Sequence, residues 1–368
     1  MQNLIIVNTF DKKNQMGFWY LLIQIRSGGR MNKIILVTGG AGFVGSNFIR
    51  YILEKYPDYK IINFDRLTLS SNLNNLIEVS RNPHYFFYHG DITNQQDIHD
   101  VFEQFTPHIL VNFAAETQIF NGNFQPEVFA KTNIMGTQLL LFEAQKMKLE
   151  KFIHISSGEV YGPSNGTAFT EDLPLHPENP FSATKAAADM LVYSFFKSSK
   201  LNLNIVRSSN LYGPFQFPHK LIPLTILQAK DNKSIPIFGD GSDCRNWLFV
   251  EDYLAALDRI MHKGQPGEIY HAATDEYWHP IDIVKLILQK MEKPEDMYHF
   301  LPDRKRREEG YSLNADKIRS ELGWSPDYNI DRGLDATIQW YLTQQQWLEE
   351  ITSGEYMNYY RKIYYEES

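Results

Sequence analysis

The stretch KIILVTGGAGFVG, residues 33–45, runs an apolar strand into a helix through a glycine-rich turn. Ile34, Ile35, Leu36 and Val37 have the unbroken apolar character of a strand buried on both faces. Phe43, Val44, Phe48 and Ile49 follow in a helical pattern. Between the two, Gly39 permits a tight turn, Gly42 lets backbone approach a pyrophosphate, and Gly45 lets the helix pack on the strand. The unpaired N–H groups and positive pole of the helix would face that pyrophosphate. A second apolar run, residues 61–64, ends in Asp65. Its carboxylate suits the ribose hydroxyls of an NAD adenosine and would repel the extra phosphate of NADP. Arg66, the next residue, keeps NADP open as an alternative.

Outward from this unit the pattern alternates. Strands are expected at 85–88, 109–115, 151–157 and 203–208, and helices at 95–105, 128–146 and from about 180 to 198. Strands separated by helices of this length predict right-handed βαβ units, and so an α/β fold with a Rossmann-type doubly wound parallel sheet. Ligands in such sheets lie beyond the carboxyl ends of the strands. That narrows the search to residues 39–42, 65, 91, 114–116, 156–159 and 209–212. From about residue 210, proline and glycine interrupt shorter segments, with helices expected at 222–230, 253–262 and 280–289. This texture suggests a smaller C-terminal α/β substrate domain closing over the cofactor. The expected organisation is an extension at 1–30, an NAD-binding domain at 31–208, a nucleotide-sugar domain at 209–350 and a tail at 351–368. An edge strand at 4–7 is the competing reading of the extension.

The 368 residues suffice for two domains or one large one. A net charge of −8 gives no global attraction to nucleic acid or anionic membrane. No apolar run approaches the ~20 residues that span a bilayer, so no membrane partner is expected. Cys244 is the only cysteine, which excludes an internal disulfide and points to a reducing, cytoplasmic location. Its expected role is structural. The eleven histidines show no metal-ligand spacing, and no metal is expected.

Nine further segments occur in a telling order. They are GDI at 90–92, AAET at 114–117, KTNIMGT at 131–137, SSGEVYG at 156–162, SNLYGP at 209–214, HKLIP at 219–223, RNWLFVEDY at 245–253, GEIY at 267–270 and ELGW at 321–324, after GGAGFVG at 39–45. From about residue 31 onward the chain resembles the dTDP-glucose 4,6-dehydratase branch of the extended short-chain dehydrogenase/reductase family. In that family a YxxxK tyrosine deprotonates the sugar 4-hydroxyl while NAD takes the C4 hydride. A glutamate then removes the C5 proton, an aspartic acid protonates the departing 6-hydroxyl, and the hydride returns to C6. The resemblance implies cofactor contacts from Gly39, Gly42, Phe43, Val44, Gly45, Asp65, Arg66, Asp91, Ile92, Ala114, Ala115 and Lys185. It implies substrate contacts from Thr117, Asn210, Lys220, Leu221 and Arg245, and catalytic groups at Ser157, Glu159 and Lys185. It also implies a homodimer built on helices 128–146 and 183–198, and the apolar residues Phe129, Ile134, Leu139, Leu140 and Phe142 of the first suit either that interface or packing on the sheet.

The chain departs from this family at the working residues. YxxxK reads Phe181-Ser182-Ala183-Thr184-Lys185, so the tyrosine is Phe181 and its phenolic oxygen is missing. Thr-Asp-Glu reads Ser157-Gly158-Glu159, so the acid is missing. Residues 118–121 replace a histidine, an acid and an arginine, and RPGHDRRY reads as acids and Gly310 before Tyr311. Loss of one positioned acid or base costs ~10²–10⁴-fold in rate, about 3–5 kcal/mol. The ordinary dehydration is therefore not expected. Three readings stay open: altered chemistry on a nucleotide sugar, epimerisation of a 4-keto sugar through Glu159, and binding of NAD and a nucleotide sugar without catalysis.

Overall fold

The structure, a computed structural model, describes residues 32–117, 126–164, 166–302 and 310–352. The expected extension at 1–30, with its possible strand at 4–7, and the tail beyond 352 lie outside the described residues.

Twelve strands are present among the described residues: β1 (Ile34–Thr38), β2 (Lys60–Asp65), β3 (Tyr85–His89), β4 (Ile109–Asn112), β5 (Lys151–Ile155), β6 (Leu203–Ser208), β7 (Asn210–Tyr212), β8 (Ile235–Phe238), β9 (Arg245–Phe249), β10 (Ile269–Ala272), β11 (Tyr277–Trp278) and β12 (Tyr298–Leu301). Seven form one sheet in the order β10-β6-β5-β4-β1-β2-β3, every pair parallel. Ile35 and Val37 of β1 face one core, and Ile34 and Leu36 face the other. Burial on both faces is why the run reads as unbroken apolar sequence. From β1 the chain winds to β2 and β3 on one side and to β4, β5 and β6 on the other, which opens a crevice beside the end of β1.

The helices are α1 (Phe43–Lys55), α2 (Gln95–Phe105), α3 (Pro126–Phe129), α4 (Thr137–Lys146), α5 (Pro180–Ser199), α6 (Leu221–Lys230), α7 (Val250–Lys263), α8 (Pro280–Lys290), α9 (Asp316–Leu322), α10 (Ile330–Thr343) and α11 (Gln345–Ile351). Two further sheets, β11-β9-β7 and β12-β8, pack with α6, α8, α10 and α11 around Tyr212, Trp247, Ile283 and Leu334 to make a second, smaller layer. The large sheet takes β10 from beyond residue 208.

Three expectations need correction. The strands expected to reach 115 and 157 end at Asn112 and Ile155. Their ladder runs out because Thr38, paired with Asn112, is the last residue before β1 turns into the glycine loop. The single helix expected at 128–146 is α3 and α4 joined by a π-helical stretch, Ala130–Gly136. A π turn inserts a residue without disturbing the composition of the segment, so helical periodicity cannot reveal it. Finally, Phe129 and Leu140 are buried while Phe142 is exposed, so the apolar residues of this segment do not share one outward face.

Candidate functional site

A cavity of about 510 Å³ opens between the layers beyond the carboxyl ends of β1–β6. Every cofactor, substrate and catalytic candidate named from the sequence lines it. The sequence reasoning did not single out Gln216, Phe217, His219, Pro236 or Trp247, which line it too. These come from the smaller layer, and although His219 and Trp247 stand inside HKLIP and RNWLFVEDY, no local pattern shows that they reach the cavity.

The glycine loop is shaped by close approach. Gly39 has φ +69°, and a Cβ there would lie 2.7 Å from the Ala114 nitrogen. A Cβ on Gly45 would lie 2.4 Å from the Gly39 carbonyl oxygen. A Cβ on Gly42 would meet only that same oxygen, at 3.3 Å, so its outer side faces open space. No side chain caps the start of α1. Together these leave a bare, positive backbone cradle of pyrophosphate character.

Asp65 sits at the rim of this cradle. Its Oδ2 accepts from the Ala41 N–H at 2.9 Å and its Oδ1 from the Leu67 N–H at 2.8 Å. Burial pushes its pKa up, and the two N–H groups pull it back. An ionised carboxylate offers about four lone-pair sites, so acceptance of ribose hydroxyls remains open alongside these bonds. The acid therefore also fixes the loop, a duty its position in the sequence did not reveal. Arg66 bridges Asp91 at 3.3 Å and Glu116 at 3.5 Å. Its charge is spent on two carboxylates, which weighs against its recruitment for an NADP phosphate.

At the other end, α5 starts on a capping box. Asn179 Oδ1 accepts from the Ser182 N–H at 2.8 Å, Ser182 Oγ accepts from the Asn179 N–H at 3.2 Å, and Pro180 occupies the first turn. One turn apart on this helix stand Phe181 and Lys185. Lys185 Nζ donates to the Ile155 carbonyl at 2.5 Å, and burial lowers its pKa to about 8. Asn179 also donates to Glu159 Oε2 at 3.4 Å, tying that acid to the start of α5. Ser157 Oγ accepts from the Glu159 N–H at 3.2 Å and so caps the short turn that carries Glu159. The π stretch contributes Asn133, whose amide group holds the Glu116 backbone and Thr184 Oγ1.

The Gly158 position is filled from elsewhere. A Cβ there would lie 2.2 Å from Cε2 of Tyr311 and 3.0 Å from Cδ1 of Leu313. Tyr311 is 3% exposed, lines the cavity and donates weakly to Asn210 Oδ1 at 3.3 Å. Cys244, expected as a structural thiol, is exposed at the surface because the turn before β9 carries it outward. Among the described residues no three His, Cys, Asp or Glu side chains converge as metal ligands, and no helix is long and apolar enough to cross a membrane. The departures at 118–121 and at 303–309 lie outside the described residues.

A family model described as GDP-mannose 4,6-dehydratase matches residues 36–337. The chain is 40% identical over 344 residues to a dTDP-glucose 4,6-dehydratase of Neisseria meningitidis serogroup B, covering 88% of this chain and 97% of that protein. The crystal structure of dTDP-glucose 4,6-dehydratase from Bacillus anthracis in complex with NAD has a TM-score of 0.82 at 39% identity, covering 87% of this chain and 99% of that one. UDP-glucuronic acid 4-epimerase from Bacillus cereus, in complex with UDP-glucuronic acid and NAD, has a TM-score of 0.78 at 28% identity, covering 84% and 99%.

Proposed function

The chain belongs to the GDP-mannose 4,6-dehydratase family of short-chain dehydrogenase/reductases, with dTDP-glucose 4,6-dehydratases among its relatives, and from that premise we propose that it binds NAD and acts on a nucleotide sugar already carrying a 4-ketone. The observation that carries this reading is the pairing of Phe181 beside Lys185 with a Gly158 whose side-chain space is taken by Tyr311. The group that would start dehydration and the group that would finish it are both missing, while the base Glu159 remains in the cavity.

The cofactor fits the donor set. Gly42 and the start of α1 would cradle its pyrophosphate, Asp65 would accept from the adenosine ribose, and Asp91 and Ile92 would border the adenine. Ala114 and Ala115 would border the nicotinamide end, and Lys185, charged below about pH 8, would hold the nicotinamide ribose. Bound NAD would supply a reversible hydride acceptor. Thr117, Asn210, Lys220, Leu221 and Arg245 would hold the nucleotide sugar. Glu159 would remove a proton from the carbon beside the ketone, a step that needs a base and an acidified C–H but no phenol at 181.

The test uses purified protein in deuterated water. Bound NAD is expected near one per chain, with no turnover of dTDP-glucose, UDP-glucose or UDP-N-acetylglucosamine by NMR. Deuterium is expected at C5 of supplied dTDP-4-keto-6-deoxyglucose. A 4-keto-6-deoxy product from dTDP-glucose would overturn the reading, and bound NAD without any exchange would replace it with a binding role.

The same reading includes a homodimer. Phe142 on α4 and Met190 on α5 are 62% and 64% exposed on helices packed against each other. Exposed apolar side chains on adjoining helices suit a self-complementary interface. Phe142→Lys is expected to shift sedimentation from dimer to monomer, and a monomeric parent chain would dismiss the idea.

A further inference from the structure

We infer that Trp347, on α11, is a positioning residue for the cofactor: through Asn75 it fixes the glycine loop against which the NAD pyrophosphate would lie. This rests on the proposed binding of NAD at that loop and adds a determinant from outside the Rossmann-type layer. Ala41 stands between Gly40 and Gly42 in the loop and is wholly buried. Its N–H donates to Asp65 Oδ2 at 2.9 Å. Its carbonyl accepts from the Asn72 N–H at 3.0 Å and from Asn75 Nδ2 at 2.9 Å. That carbonyl shares one rigid peptide plane with the N–H of Gly42, the residue that caps α1. Holding the carbonyl therefore sets the direction in which the loop enters the helix.

Asn75 lies in a 3₁₀ turn, Leu73–Val79, and is buried. Its Oδ1 accepts from Trp347 Nε1 at 2.7 Å. An indole N–H donates and cannot accept, so Oδ1 must be the atom that faces Trp347. That leaves Nδ2 to face the Ala41 carbonyl. A reversed amide would set two oxygens against each other at Ala41 and two N–H groups against each other at Trp347. The indole thus dictates the orientation on which the bond to the glycine loop depends.

Trp347 is itself held. It is buried, and its ring lies 4.9 Å from that of Trp340 and 5.8 Å from that of Phe215, centroid to centroid. Phe215 in turn lies 3.7 Å from the Arg50 guanidinium of α1. Asn74 donates to Glu350, which ties α11 to the same 3₁₀ turn. A second cavity of about 150 Å³ adjoins the Asn75–Trp347 bond, lined by Ser70, Ser71 and Asn72 as well as by these two residues. Ser70 and Ser71 also line the main cavity, so the bond stands just behind the place the cofactor would take. Water admitted here in place of the indole N–H can donate or accept, and so imposes no orientation on the amide.

The test is a double-mutant cycle read by calorimetric titration of NAD into protein stripped of it. Trp347→Phe keeps an aromatic ring against Phe215 and Trp340 and removes the N–H donor. It is expected to weaken NAD binding about 10-fold. Asn75→Ala is expected to weaken it at least as much. The double variant is expected to lose no more than Asn75→Ala alone, because the indole acts only through the amide. Affinity for the tightest-binding of dTDP, UDP and GDP is expected to be unchanged in Trp347→Phe, since the residues that would hold that ligand do not depend on Asn75. Unchanged NAD affinity in Trp347→Phe would overturn the role, and so would additive losses in the cycle. Equal weakening of NAD and the diphosphate would overturn it too, since loosened packing between the layers gives that result. A parent chain that binds no NAD would remove the cofactor half of the proposed function together with this role. Binding of NAD but of none of the three diphosphates would remove only the nucleotide-sugar half, and the cycle would still decide this role.

Discussion

Phe181→Tyr protein incubated with dTDP-glucose is expected to develop the absorbance of reduced nicotinamide together with a 4-keto sugar, where the parent chain yields neither. Phe181 lies one turn before Lys185 on α5, is 8% exposed and lines the cavity. The substitution adds one oxygen at the tip of a ring already in place. The Lys185 ammonium nearby would favour a phenolate over a phenol at that tip. A positioned base is worth ~10²–10⁴ in rate, so the gain should be unmistakable against the parent. The reaction should then stall, because position 158 supplies no acid for the departing 6-hydroxyl. Adding Gly158→Asp is not expected to release the stall, since its Cβ would lie 2.2 Å from the Tyr311 ring. Stopped absorbance readings and NMR of the sugar decide the matter. If the parent already oxidises dTDP-glucose at the rate of Phe181→Tyr, the missing phenol is not what blocks it.

Phe181 and Gly158 are visible in the sequence, and so is much of what surrounds them. The loops beyond the strands were legible, because a buried parallel strand needs an unbroken apolar run, although β4 and β5 stop three and two residues short of the ends read from it. Gly39, Asp65, Asp91, Ala114, Ser157 and Asn210 therefore converge on one cavity from six separate loops. The loss of oxygen at 181 and of the acid at 158 was also legible, since each is a change of residue type at a fixed spacing.

What escaped notice depends on partners distant in sequence. The space beside Gly158 is filled by a ring about 150 positions away, and nothing near Gly158 announces it. The second duty of Asp65, holding Ala41 and Leu67, follows from backbone placement and not from composition. The π stretch at Ala130–Gly136 also left no periodic trace, although it brings Asn133 against Glu116 and Thr184. The two charges of Arg66's partners, Asp91 and Glu116, are separated by two strands, so only the fold shows that its guanidinium is engaged.

Asp189 lies one turn beyond Lys185 on α5 and wholly inside the protein. Asp189→Ala is expected to cost about 3–5 kcal/mol of folding stability and to weaken NAD retention. The Asp189 carboxylate accepts from Arg207 Nε at 2.9 Å, and both side chains are buried. That pairing raises the Arg207 pKa and holds the guanidinium charged. Of the remaining neighbours Tyr161 and His271 are neutral, while the Glu171 carboxylate, which accepts from the His271 backbone N–H at 2.9 Å, feels the Arg207 charge. The Tyr161 hydroxyl accepts from Arg207 and lies 2.7 Å from His271 Nε2, to which it must therefore donate. Burial lowers the His271 pKa to about 3 and keeps that ring uncharged. His154, 3.6 Å from the other carboxylate oxygen, is likewise held neutral by burial. Without Asp189 the Arg207 charge would stand buried with no anion in contact, a far greater loss than that of a surface pair.

Asp189 also raises the Lys185 pKa against the effect of burial. Removing it should push that pKa below about 8, leaving less ammonium at neutral pH to hold the nicotinamide ribose. The sign for stability follows from linkage. A lysine whose folded pKa is lowered binds fewer protons folded than unfolded, so its penalty lessens as pH rises from about 8 toward the unfolded value near 10.4. In Asp189→Ala this relief should begin at lower pH, while the Arg207 penalty persists throughout. Chemical denaturation across that range, with bound NAD quantified at each pH, checks both parts. A loss below about 1 kcal/mol would mean that Arg207 finds another acceptor. An unchanged NAD content would mean that Asp189 does not govern the charge on Lys185.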